Sequence, residues 1–152
     1  MESIVGEKPL TNSKHEEVKL AELTAGPKFI GLYFGAHWAP PCRKFTTKLT
    51  GVYNELNKDS KVFEVIFVSS DGNEDHFKAN LADMPWTAIQ YDEKSTKDKL
   101  TQKYGIVQIP SLVIIDEKGN TISIDGDKDL ASKAGGDKLI ESWKKAQEQI
   151  KA

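Results

Sequence analysis

The chain has 152 residues, 21 Lys and Arg against 23 Asp and Glu, a formal net charge of −2 and 38% hydrophobic residues. That length builds a full hydrophobic core as one domain, and the mixed-sign charge leaves no footprint for nucleic acid or an anionic membrane surface. No apolar run approaches the roughly 20 residues of a membrane span, and the start, Met1 to Glu7, is neither basic nor followed by an apolar core, so no secretory signal is read. The single cysteine, Cys42, excludes an internal disulfide and fits a reducing compartment; a cytoplasmic protein is expected. Scattered His15, His37 and His76 have no ligand spacing, so neither a metal site nor a cofactor is expected.

Residues 3–27 read as an extended start and polar text, with Val18, Leu20 and Leu23 marking an edge element or a turn of helix closed by Gly26-Pro27. Residues 28–34 are short, aromatic and aliphatic, and predict a buried strand. The loop Gly35-Ala36-His37-Trp38 then leads to a helix over 40–57. Its opening carries Pro40 and Pro41, tolerated in a first turn where an N–H has no intrahelical partner. Phe45, Leu49, Val52, Tyr53 and Leu56 follow at helical spacing, with Arg43, Lys44 and Lys48 off the stripe.

Residues 62–68 predict a strand buried on both faces. Ser69, Ser70 and Asp71 offer caps for a helix over 73–83, stopped by Pro85. An extended linker over 86–91 is expected, then a helix capped by Ser95 and terminated by Gly105. Residues 111–115 predict a third strand, 116–120 a hairpin turn, and 121–125 a half-exposed antiparallel partner. A polar loop and an amphipathic helix with Leu139, Ile140, Trp143, Ala146 and Ile150 close the chain. The order is that of an α/β domain, a central mixed β-sheet flanked by helices on both faces. Its core is expected over about 28–125 and its last helix over about 136–151 of a single 1–152 domain. In such sheets the functional crevice lies outside the carboxyl ends of the parallel strands, where Trp38-Ala39-Pro40-Pro41-Cys42 falls.

Four motifs in order carry a resemblance. They are Tyr33-Phe34-Gly35-Ala36 leading to Trp38-Ala39-Pro40-Pro41-Cys42-Arg43, the Phe63 to Ser69 run, Met84-Pro85-Trp86, and Tyr104-Gly105-Ile106 before Ile109-Pro110. Together they resemble the thioredoxin superfamily, and within it tryparedoxins and nucleoredoxins, over roughly 28–125. The resemblance implies a thioredoxin-like fold and protein-disulfide reduction by two cysteines three positions apart. The first is exposed at a helix N-terminus, where the dipole favours the attacking thiolate; the second resolves the mixed disulfide.

Here the first position is Ala39. Cys42 takes the resolving place and the attacking sulfur is missing, so the chain as written is expected to be redox-inactive. Two origins fit: a family member that lost its nucleophile and kept the fold for binding, or a Cys→Ala change in an active oxidoreductase. The intact Trp38, Pro40 and Pro41 favour the second.

The resemblance further implies a cis bond between Ile109 and Pro110. The Ile109 backbone would then pair with an extended substrate segment, its side chain opposite the Cys42 loop. With Trp38, Pro40, Pro41 and Trp86 these residues form the expected substrate groove, Trp86 packing under or beside the site. Tyr33 stands where thioredoxins place a buried carboxylate, and a phenol is a poor base near neutral pH. His37 beside Trp38 reads as a solvated loop residue, and Arg43 and Lys44 as a solvated helix face. Disulfide-containing or extended-peptide protein partners follow from the resemblance, peroxiredoxin-type targets and a low-molecular-weight dithiol donor among them, with the chain a monomer.

Overall fold

The two runs read as buried strands form the middle of the sheet. In the computed structural model β3 (Phe29–Gly35) and β4 (Phe63–Ser69) lie parallel, paired from Phe29↔Phe63 to Gly35↔Ser69, with every residue of both buried. The structure describes residues 10–14, 16–19, 29–36, 39–58, 62–71, 73–82, 84–116, 119–124, 126, 128 and 136–151. Among these, the remaining elements are β1 (Leu10–Thr11), β2 (Glu17–Val18), α1 (Pro40–Leu56), α2 (Glu74–Leu81), β5 (Thr87–Ala88), α3 (Lys94–Lys103), β6 (Ser111–Asp116), β7 (Thr121–Ser123) and α4 (Gly136–Lys151). The strand order is β2-β1-β5-β4-β3-β6-β7. β5 runs parallel to β4, whereas β6 is antiparallel to β3, so the sheet is mixed.

Alternation along the central strands divides the core in two. Phe29, Tyr33, Phe63, Val65 and Phe67 join Leu49 and Tyr53 of α1, Phe77 and Leu81 of α2, and Leu139 and Trp143 of α4. On the other face Ile30, Leu32, Phe34, Ile66 and Val68 pack with Leu10 and with Leu100 of α3. Helices therefore cover both faces, as the order of elements predicted.

Several local expectations give way. The 86–91 linker contains β5, which takes the free edge of β4 by pairing Ile66↔Thr87 and Phe67↔Ala88. A two-residue strand has no periodicity to read. The edge element expected at Val18 is present: β2 is an outer strand of the sheet and forms a hairpin with β1, Leu10↔Val18 and Thr11↔Glu17. The hairpin turns on Asn12, whose side-chain oxygen accepts from the Lys14 and Glu16 amides at 2.9 and 3.0 Å. The Gly26-Pro27 breaker lies outside the described residues.

Helix α2 is capped by Asn73, which accepts from the His76 amide at 2.8 Å, not by Ser69, Ser70 or Asp71. Ser95 sits inside α3, whose N-cap is Glu93 without a side-chain cap bond. The α3 terminator holds: Gly105 has φ 61°, the left-handed geometry that ends helices. β7 stops at Ser123, and Ile124 beyond it is 58% exposed.

Candidate active site

The carboxyl ends of β3 and β4 meet at Gly35, which pairs with Ser69 and whose carbonyl accepts from the Ser70 amide at 2.8 Å. On the other side of β3, Phe34 pairs with Ser111, so Pro110 stands level with Gly35. Ala36 continues from this point and the Ala39–Cys42 turn opens α1; Asp71 lies two residues beyond β4, and the Ile109-Pro110 bond, which is cis, immediately precedes β6. His37 and Trp38 lie outside the described residues.

Ala39 is the N-cap of α1, in extended geometry and 5% exposed. Alanine is among the poorest N-cap residues, because it offers no oxygen to the free N–H groups of the first turn. Here none is left to satisfy. Pro40 and Pro41 have no N–H, and the Cys42 amide donates to the Ala39 carbonyl at 3.0 Å. The side chain at 39 is thus free of structural duty at the positive end of a helix, where a thiolate is favoured.

Cys42, one turn in, is 1% exposed. Burial pushes its thiol pKa up, a backbone hydrogen bond with Ala36 offsets part of that, and the Asp71 carboxylate pushes it further up. A buried thiol held in its neutral form is a poor attacker of free disulfides, which weighs against independent monothiol chemistry such as glutathionylation.

Tyr33 fills the space beneath. Its hydroxyl donates to the Cys42 carbonyl at 2.8 Å and lies 2.7 Å from Thr46 Oγ1. A carbonyl only accepts, so the single phenolic proton goes to Cys42 and the Thr46 hydroxyl donates to Tyr33. Burial drives the Tyr33 pKa upward, against the Thr46 bond and with Cys42 and Asp71 adding to the rise. It is a scaffold, not a base.

Trp86, expected in the groove, is 2% exposed and packs edge-on against Tyr33 and Tyr53, with centroids at 6.4 and 5.5 Å. It supports the site from below and offers a substrate no surface, because the core encloses it. Pro40 and Pro41 are exposed, and Ile109 and Pro110 half-buried. The Ile109 side chain packs on the cluster of Ile30 and Phe34, on the sheet face opposite the one that α1 covers.

Two residues escaped the sequence reading. Asp71, 7% exposed, takes a hydrogen bond from Ser69 Oγ at 2.6 Å and acts electrostatically on both Cys42 and Tyr33. It had read as a cap. Val107, two residues before Ile109, is 95% exposed; apolar pattern alone places such a residue inside.

Strand β3, the Ala39–Cys42 turn and the cis-proline immediately before β6 form a thioredoxin-type arrangement with one sulfur. A family profile described as thioredoxin-like matches residues 26–121, and the chain belongs to that family. Within it the similarity is to nucleoredoxins and tryparedoxins. Bovine (Bos taurus) nucleoredoxin is 37% identical over 118 residues, 78% of this chain and 27% of its own length. The tryparedoxin of Trypanosoma brucei is 35% identical with a TM-score of 0.74, covering 84% of this chain and 87% of that one. A tryparedoxin II complexed with glutathionylspermidine is 28% identical with a TM-score of 0.75, covering 83% and 86%. The chain spans between 20% and 30% of the length of the curated nucleoredoxins it matches.

Proposed function

We propose that this chain is a disulfide-oxidoreductase module of the tryparedoxin and nucleoredoxin kind in which the attacking sulfur is absent, so that it docks disulfide partners without reducing them. The observation that carries the reading is the start of α1: Ala39 at an N-cap with no structural task, and Cys42 buried one turn in. With a cysteine at 39, its thiolate would attack one sulfur of a partner disulfide and expel the other as thiolate. The Cys42 thiolate would then attack the mixed disulfide at the sulfur of residue 39, expelling the partner's sulfur as thiolate and leaving a disulfide between 39 and 42. A methyl group does none of this.

Disulfide-containing or extended segments of proteins, peroxiredoxin-type targets among them, suit a surface that includes the exposed Pro40 and Pro41 and the half-buried Ile109 and Pro110. The glutathionylspermidine held by a tryparedoxin II supports a small-thiol electron donor for the complete enzyme. In a dithiol-coupled insulin-reduction assay the chain is expected to show no turnover, and Ala39→Cys to show turnover. A folded Ala39→Cys protein without activity would overturn the proposal.

A second reading, a binding module with no catalytic parent, is favoured by the bare Val107 side chain three residues before the cis-proline. It expects partners that stay bound under strong reductant and in Cys42→Ser. Loss of every partner under reductant removes it.

A further inference from the structure

Beyond the end of β4, a cavity of about 330 Å³ opens between Ser70 and Asp71 on one wall and Lys94, Lys97 and Asp98 of α3 on the other, with Tyr91 at its edge. The volume is at the small end for ligand pockets and suits a molecule of amino-acid size. Cys42 does not line it.

The α3 wall is built against local preference. Lys94 and Lys97 both stand in the first turn, where the helix field disfavours cations. That turn has no acidic residue, and the helix has no side-chain cap. Lys97 is only 9% exposed, and an ammonium is costly to bury. Its Nζ donates to the Tyr91 carbonyl at 3.0 Å and lies 4.8 Å from the Tyr91 ring centre, so among the described residues one carbonyl serves three N–H donors. Burial and the Lys94 charge press its pKa down, while Asp71, Asp98 and Asp92 act to hold the proton. A charge that both the helix and the solvation balance oppose points to a role outside the fold.

We propose that this cavity binds a small zwitterion of amino-acid size, its carboxylate toward Lys94 and Lys97 and its ammonium toward Asp98 and Asp71. A simple anion brings its charge next to Asp71 and Asp98, and a simple cation next to the two lysines. A ligand with both charges a few ångströms apart meets each wall with its opposite. The exposed Ser70 adds a hydroxyl to the rim. Ala39 has no part in this site, so the failure of either proposal leaves the other standing.

The test is an amide-resolved NMR titration of the intact ¹⁵N-labelled chain with L-alanine, acetate and methylammonium in turn, at constant ionic strength. L-Alanine is expected to give saturating shifts at Ser70, Lys94, Lys97 and Asp98. Half-saturation by acetate or methylammonium should come about tenfold higher or more. Lys97→Met and Asp98→Asn are each expected to weaken L-alanine about tenfold in a spectrum that stays dispersed. The exposed Lys94→Ala serves should Lys97→Met not fold. Linear, unsaturating shifts with L-alanine overturn the proposal, as does acetate binding as tightly as L-alanine. An unchanged half-saturation in the folded lysine variants overturns it too.

Discussion

Tyr33 donates its phenolic hydrogen to the Cys42 carbonyl across 2.8 Å, joining the central strand to the first turn of α1. The ring that makes this bond folds back over its own strand. A Cβ at Gly35 would stand 2.9 Å from it, so glycine two residues on is what gives the ring its room. Phe45, Phe67 and Trp86 hold the ring from three sides, with centroids at 5.3, 5.3 and 6.4 Å.

Tyr33→Phe keeps the ring and its packing but removes both hydrogen bonds, leaving the Cys42 carbonyl and the Thr46 hydroxyl short of a partner. A loss of about 1–3 kcal/mol is expected from urea unfolding. Gly35→Ala, which crowds the ring, is expected to cost about 1–3 kcal/mol by the same measurement.

Stability is expected to fall in alkali. The Cys42 and Tyr33 pKa values are raised by burial, so above the ordinary thiol value of 9.0 the folded chain holds protons that the unfolded chain releases. Their contribution is complete below that value and lost as pH climbs through the raised ones. Lys97, with its pKa lowered, runs the other way: the cost of its buried charge is relieved as pH rises. Melting temperatures at neutral and strongly alkaline pH should therefore differ more in the parent chain than in Cys42→Ala. Equal differences would show that Cys42 carries no linkage.

Two glycines predict opposite results from one substitution. Gly51 lies inside α1, exposed, with nothing within 4 Å of an added Cβ, so Gly51→Ala should stabilise by about 0.5–1 kcal/mol. Gly105 has equal room but φ 61°, so Gly105→Ala should destabilise by about 1 kcal/mol. Chemical unfolding of the pair reads both signs.

Asn57 ties the end of α1 to the start of β4. Its side-chain oxygen accepts from the Val62 and Phe63 amides at 2.9 and 3.0 Å, and its Nδ2 donates to the Phe63 carbonyl at 2.8 Å. Asn57→Ala strands these groups and is expected to cost about 2–3 kcal/mol by thermal unfolding.

The central strands, α1 and the fold class were legible because their signals are local and strong: runs of apolar residues, a stripe at helical spacing, a proline pair in a first turn. The same locality explains the misses. Ser95 and Ser69 to Asp71 are good caps by type, but a cap is chosen by where the chain enters its helix, and Glu93 and Asn73 stand there instead. β5 exists because β4 has a free edge beside it, which no property of Thr87 or Ala88 announces.

By itself the sequence determined that a thioredoxin-type site stands at the N-terminus of α1 and that Ala39 replaces its attacking sulfur, since residue identity alone fixes what chemistry a side chain can do. Only the tertiary structure decided that the α1 helix needs nothing from position 39, that Cys42 is buried and held neutral, that the core encloses Trp86, and that Asp71 and Lys97 line one cavity from opposite walls. Exposure and the sign of a pKa shift depend on neighbours far apart in the chain, and folding alone brings those together.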